Sequence, residues 1–401
     1  MRTITTAERR ARIARRHGLA PGHRLPDAVA ATDAMVALHG TDHSTVYLSA
    51  WARVDGLTRQ DVDRALYADR TLVKQLTMRG TLFVVPRETL PAAVHGPGAR
   101  VAAAEERLLV RDLERAGVAP DGVPWFREAA SAVVDRLADG TELTLPQLRD
   151  AVPALGVTTP YEVRGHRVGG TAVGQRILAV LSARGVIVRG HNDGGWLVSR
   201  PRWTSMVRWL GGPLPEMEPD VAREHLVRRW LRAFGPGTEQ DLRWWLGDTV
   251  PHVRAALRAV EAEEVALEGG GRGYVLPDDV GPEEPVEPWA ALLPTLDATT
   301  MGWHERDWYL GPHRAELFDP GGNGGTTAWW DGRIVGAWHQ FDGARVRVHL
   351  LEDVGRDGAR ALEREAERLT DWLDGARPGD RWPPPVLYGL RAKLRGGAAG
   401  A

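Results

Sequence analysis

Apolar residues recur at three- and four-residue steps in "WFREAASAVVDRLADG" (Trp125–Gly140), "TAVGQRILAVLSARG" (Thr171–Gly185), "DVAREHLVRRWLRAFG" (Asp220–Gly235) and "VPHVRAALRAVEAEE" (Val250–Glu264). That step puts one apolar stripe on each segment and predicts four amphipathic helices. A shorter helical run sits inside each pair, "LTLPQLRDAV" (Leu143–Val152) and "TEQDLRWWLG" (Thr238–Gly247). After each pair come two β-rich runs about a Gly-containing turn, in "VIVRGHNDGGWLVSR" (Val186–Arg200) and "VALEGGGRGYVL" (Val265–Leu276), which predicts hairpins. Thr238 and Pro251 suit helix starts, Gly235 and Gly247 helix stops. Helix, short helix, helix, hairpin is the layout of a winged helix, a helix-turn-helix variant whose third helix can enter a DNA groove. The N-terminal region gives a looser third copy: a helix near Asp27–His39, a second at Val46–Arg53, "LTRQDVDRALYADRTLVKQL" (Leu57–Leu76), then a strand at Thr81–Val85.

Beyond Pro285 the texture changes to short strand-like runs, among them "ALLPTLD", "TTAWW", "RIVGAWHQ" and "RVRVHLLE", separated by Gly, Asp and Pro. This pattern predicts a small β-barrel or curled sheet, closed by an amphipathic helix at Gly355–Gly375. The expected fold class is therefore α+β, tandem winged-helix (helix-turn-helix) domains followed by a C-terminal β-barrel. The boundaries expected are 1–24 for a basic N-terminal arm, 25–120, 121–215 and 216–284 for three winged helices, and 285–401 for the barrel with its closing helix.

Composition narrows the chemistry. The 401 residues include no cysteine, which excludes disulfides, thiolate metal sites and a cysteine nucleophile. No apolar run is long enough to span a bilayer and no signal-peptide core precedes the first helix, so a cytoplasmic protein without a membrane partner is expected. The net charge is −2, so no global charge announces a nucleic-acid binder. Charge is nevertheless uneven: residues 1–24 are rich in Arg and 261–288 are acidic, which fits one charged working face or two ordinary solvated segments. Lysine occurs only at Lys74 and Lys393, so Schiff-base chemistry has two candidates. Fourteen of the 16 tryptophans lie beyond residue 190, where large rings more often fill cores than stack on bases. No phosphate-cradling loop, zinc-protease motif, dinucleotide fingerprint or serine-hydrolase elbow is present, and no cofactor is expected.

The densest chemistry is in "MVALHGTDHSTVYLSAWARV" (Met35–Val54), where His39, Thr41, Asp42, His43 and Ser44 fall within six positions. A metal pair of His39 and His43 would be interrupted by Gly40 and lacks a third ligand at suitable spacing. A structural reading has His39 at a helix end and Asp42 or Ser44 capping the next helix. The catalytic reading makes Asp42 the carboxylate or base, with His39 and Thr41 orienting a water. In "TMRGTLFVVP" Met78, Arg79 and Thr81 stand on the turn into a strand and are candidate DNA contacts, as are Arg189, Arg200 and Arg202 around the second hairpin.

Together "MVALHGTDHSTVYLSAWARV", "MRGTLFVVP", "LLPTLDATTMGWHERDWYLG" and "GNGGTTAWWDGRIVGAW" resemble the winged-helix family that contains the AlkZ-like DNA glycosylases, over about residues 8–375. The resemblance implies three tandem winged helices and a barrel around a damaged DNA duplex, and excision of alkylated purines in repair or in self-resistance to alkylating natural products such as azinomycin. The family's pattern is Gln–aliphatic–Gln, or Gln–aliphatic–Asp in a sister branch. His39-Gly40-Thr41 stands in its place here, followed by Asp42, and no glutamine remains. Asp297 and Arg306 lie in the family's recurring "LD…R" stretch, as possible cleft residues or as barrel hydrogen bonds. The expected activity is that of a monofunctional glycosylase, removing N7- or N3-adducted purines and acting as a monomer on double-stranded DNA. The alternative is a non-catalytic winged-helix transcriptional regulator or lesion sensor.

Overall fold

The computed structural model describes residues 1–163, 166–341, 343–379 and 381–397. Its contacts divide the chain into two compact units. One is built from Met1–Asp63, Trp196–Val198 and Leu226–Ala401, the other from Arg64–Gly195 and Ser199–His225. Among the described residues no helix is long and apolar enough to cross a membrane.

In the second unit the helices Ala99–Arg115, Gly122–Leu137, Leu145–Ala151 and Val173–Ala183 surround a core that includes Leu109, Leu113, Phe126, Val133, Leu148, Ile177 and Leu181. Burying side chains of this size contributes about 1.5–3 kcal/mol each. A helix as short as Leu145–Ala151 is therefore held by packing rather than by propensity. The starts are set locally. Asp121 accepts the Val123 N–H, and Thr144 forms a reciprocal capping box with Gln147.

The strands of this unit differ from expectation in three places. The return strand of the second hairpin is Pro201–Ser205, paired to Ile187–Asn192 with Ile187 opposite Ser205, rather than the "WLVSR" run. Asn192 explains the longer loop, because its side-chain oxygen accepts the Arg200 N–H at 2.6 Å and closes residues 193–200 on themselves. A further hairpin, Thr158–Val163 with His166–Ala172, occupies a stretch where the pattern predicts no strands. Leu72–Thr77 is likewise a strand and not the end of a helix. It pairs antiparallel with Thr81–Pro86 across a turn in which Arg79 has φ +57°, and the ladder satisfies its backbone.

In the first unit, Thr5 and Glu8 form a capping box that starts the helix Thr6–Arg16. The strand Thr3–Ile4 pairs parallel with Glu263–Leu267, which pairs antiparallel with Arg272–Val275. The basic and acidic stretches do not form one charged working face. Arg12 reaches Asp279 at 2.8 Å, and Arg16 reaches Asp279 at 2.6 Å and Glu283 at 3.3 Å, so the two neutralise each other. The helix expected over Asp27–His39 spans only Ala28–Ala34. Val36 at φ +61° ends it, and Leu38–His39 is extended.

The C-terminal region also differs from expectation. Its strands Ala290–Leu293, Thr327–Trp330, Arg333–His339 and Arg347–Leu350 form an antiparallel sheet in that order. The first and last strands do not pair, so this is an open sheet and not a closed barrel. The helix Gly355–Leu373 packs on it with Leu362, Ala366, Leu369 and Leu373 buried at steps of three and four. Trp230, Trp303 and Trp329 are wholly buried, and Trp303 Nε1 donates to the Phe234 carbonyl at 3.1 Å, which makes these rings core material.

Candidate active site

The loop that carries the dense polar cluster leads into the helix His43–Trp51, of which every residue is buried. A helix buried all round must satisfy its polar side chains internally. Thr45 Oγ1 donates to the Thr295 carbonyl at 2.8 Å, Ser49 Oγ to Asp297 Oδ2 at 2.6 Å, and Tyr47 Oη to Asp63 Oδ1 at 2.6 Å. Arg53, just past the helix, forms a two-pronged pair with Asp297 at 2.7 and 2.9 Å, and neither side chain has any exposure. Burial alone drives the Asp297 carboxyl up, but the Arg53 guanidinium and the Ser49 hydroxyl outweigh it and hold it below the usual carboxylate range. This clamp fixes the helix, and with it the residues at the helix start.

At that start Asp42 is the N-cap. Its Oδ1 accepts the Ser44 N–H at 3.0 Å and the Ser44 hydroxyl at 2.7 Å, and only 7 % of the residue is exposed. Burial raises the Asp42 carboxyl above the usual range. The Ser44 bonds and the positive charge of Arg381 pull the other way without cancelling it. His39, equally buried, accepts the Thr41 N–H on Nδ1 at 3.4 Å. Thr41 is half-buried. Three predicted residues are thus gathered on one short loop, around a carboxylate poised to take a proton nearer neutrality than an exposed one. Ser44 and Thr45 also line a cavity of about 280 Å³, together with His339, Arg377 and Arg391. Sequence reasoning missed this cavity wall. Its two arginines follow the predicted closing helix, in "GARPGDRWPPP" and the segment after it, which reads as a tail.

The other candidates fall elsewhere. Asp297 is sealed in its pair with Arg53. Arg306 lies between the rings of Trp244 and Phe318, at 5.0 and 4.8 Å, and is 3 % exposed. Both side chains are buried, so of the two readings given for them, cleft residue or hydrogen bond within the fold, neither is left facing a cleft. In the second unit Met78 is wholly buried with Thr77 Oγ1 3.3 Å from its sulfur, so it packs the turn and offers no DNA contact. Arg79 and Thr81 are half-exposed on that turn. Arg189 stacks 5.1 Å over Trp203, and desolvation lowers it to about 10, which leaves it cationic at neutral pH. Arg200 is exposed, and Arg202 pairs with Asp193 at 2.8 Å. Lys74 is buried and donates to Tyr67 Oη at 2.6 Å. Lys393 falls in the helix Pro385–Gly397, with its side chain outside the described set. Among the described residues no three His, Asp or Glu side chains come together as a metal site.

The family model for AlkZ-like DNA glycosylases matches residues 32–372, which takes in the loop, its helix and the Asp297 clamp. The chain belongs to the AlkZ-like DNA glycosylase family. A curated AlkZ-like relative, the interstrand DNA cross-link repair glycosylase of Streptomyces sahachiroi, is 28% identical over 330 residues, covering 78% of this chain and 81% of its own. The solved structure of the Streptomyces sahachiroi DNA glycosylase AlkZ superposes with a TM-score of 0.74 at 23% identity, covering 94% of this chain and 98% of that one, and so shares the fold. The family match ends before Arg377, Arg381 and Arg391.

Proposed function

We propose that this chain is a monofunctional DNA glycosylase that removes purines alkylated at N7 or N3 from double-stranded DNA, in repair or in self-resistance to alkylating natural products. The observation that carries the reading is Asp42: a buried carboxyl of raised pKa, on a loop held rigid by the clamped helix behind it. A purine alkylated at N7 or N3 is cationic, so its glycosidic bond is already weak. What the protein must add is a negative charge beside the oxocarbenium-like sugar and a positioned base for water. Asp42 supplies both, and His39 and Thr41 orient the water. Lys74, bonded to Tyr67, supports hydrolysis over a Schiff-base lyase step. The Streptomyces sahachiroi relative is named for interstrand DNA cross-link repair, which supports adding cross-linked DNA to the proposed substrates.

In the same reading the three helix-and-hairpin runs, 25–120, 121–215 and 216–284, are winged helices that bring a cytoplasmic, monomeric protein to the damaged duplex. Arg79, Thr81, Arg189, Arg200 and Arg202 serve as backbone contacts. The test is a duplex bearing one N7-alkylguanine, incubated with the protein and then treated with hot alkali. Strand cleavage at the lesion that needs both protein and alkali is the expected result.

The alternative, a lesion sensor without catalysis, has one observation in its favour: Asp42 already has a structural task as N-cap. Asp42→Asn separates the two, because Asn caps a helix as well as Asp does but cannot act as base. Excision abolished with unchanged binding supports the glycosylase; tight binding without any excision by the wild type supports the sensor.

A further inference from the structure

Most arginines whose partners are described in the first unit are committed to carboxylates. Arg12 and Arg16 pair with Asp279, Arg53 with Asp297, Arg229 with Asp33, Arg232 with Asp278, and Arg368 with Glu365. Two that line the 280 Å³ cavity depart from that pattern. Arg377 and Arg391 line the cavity and are exposed, and among the described residues neither has a carboxylate within 4.0 Å. Arg381, exposed as well, is near enough to Asp42 to lower its pKa. Two guanidiniums on one cavity wall repel each other, and an anion bound between them offsets that repulsion.

The donors are placed for one. Arg377 is braced by Nε to the Gly343 carbonyl at 3.0 Å and by Nη2 to the Gln340 carbonyl at 3.3 Å, which fixes the fork. The Arg391 guanidinium lies 5.8 Å from the Phe341 ring, and Phe341 stacks on His339 at 4.4 Å. The hydroxyls on the opposite wall are not donors to a guest, since the Ser44 proton goes to Asp42 and the Thr45 proton to Thr295. The cavity has the guanidinium groups of Arg377 and Arg391 as the arginine donors on its wall. Its volume is below the usual range of about 300–1,000 Å³ for small-molecule sites, as suits a compact oxyanion.

We propose that this cavity is an oxyanion site that takes one backbone phosphate of the duplex, held by Arg377 and Arg391. The inference rests on the DNA-glycosylase reading. Given that reading, an N7-alkylated base is excluded by its own positive charge, and the phosphodiester is the anion that the substrate brings. Phosphate contacts fix register rather than sequence. A phosphate seated here sets which nucleotide faces the loop His39–Asp42, while Arg381 lies near Asp42. Arg377 and Arg391 are thus positioning groups for the lesion.

The experiment measures duplex affinity over a series of KCl concentrations for wild type, R377A/R391A and R377K/R391K, on lesion-bearing and undamaged duplexes. Thermal melts check that each variant is folded. Loss of one phosphate contact lowers the slope of log K against log [KCl] by about 0.9 and weakens both duplexes alike, and the Lys pair keeps most of the slope. A second arm adds inorganic phosphate and reads the shift in melting temperature. If phosphate stabilises wild type but not R377A/R391A while the duplex slope is unchanged, the ligand is a free oxyanion and the duplex assignment is overturned. If R377A/R391A matches wild type in both arms, the site itself is overturned while a wild type that excises remains a glycosylase. A wild type that binds no duplex would sink both readings.

Discussion

At the start of the helix His43–Trp51 stands Asp42, and toward its end stands Asp297, about 10 Å away along the axis. Both are buried carboxylates in contact with the same helix. Asp297 has a guanidinium in two-pronged contact, a serine hydroxyl and the Thr299 N–H at 2.8 Å, and its pKa is lowered. Asp42 has only dipoles from the helix start and a more distant arginine, and its pKa is raised. Burial acts on both in the same direction, so the partner charge decides the outcome. A carboxylate neutralised in place holds structure; one that burial leaves short of compensation is available for proton transfer.

That contrast can be broken at either end. The largest effect expected is on excision: Asp42→Asn should lower the rate by about 10²–10⁴-fold, the range for loss of a general base, with duplex affinity unchanged. Single-turnover excision and anisotropy measure the two. Next, Arg53→Ala should destabilise the fold by about 3–5 kcal/mol, because it strands Asp297 as an uncompensated buried charge. Urea unfolding measures this, and a loss below 1 kcal/mol would mean the pair is not the clamp described. Asp42→Ala should cost about 1 kcal/mol more stability than Asp42→Asn, since only Ala removes the cap.

The pH dependences should oppose each other. Asp297, lowered in the folded state, contributes stability that is present above the unfolded value near 3.9 and lost as pH falls through its folded value. Asp42, raised in the folded state, costs stability while ionised, and that cost disappears as pH falls through its folded value. Unfolding of wild type and Asp42→Asn from neutral pH to about 4 should isolate the second sign. The smallest effect concerns Arg381. Removing its charge should move the acid limb of the excision profile to higher pH, because Arg381 is one of the groups that lowers Asp42.

The Asp42 end of this comparison was legible in the sequence and the Asp297 end was not. A cluster of capping and titratable residues between two helical runs marks a helix start from local pattern alone, as at Thr41–Ser44. The Arg53–Asp297 pair spans 244 positions, and no local rule connects them. The one hint was a charged residue inside "YLSAWARV". For the same reason the four C-terminal strands were readable individually, but not whether the sheet closes, since closure depends on tilt and stagger between strands. Leu72–Thr77 continues a helical-looking run in the sequence, and only its ladder with Thr81–Pro86 makes it a strand. The arginines at 377, 381 and 391 stand beyond the last periodic helix in a Gly- and Pro-rich neighbourhood, where no local pattern marks the wall of a cavity.

The strand Thr3–Ile4 has a bearing on how the chain is made. Ile4 is wholly buried against Val265, Leu267 and Val275, and pairs with Leu267. During synthesis at about 5–20 residues per second, the partner of this strand emerges tens of seconds after it does. Through that interval the arginine-rich helix beside it waits on the ribosome without Asp279 and Glu283. The strand Thr3–Ile4 is thus among the last parts of its unit to reach its final place.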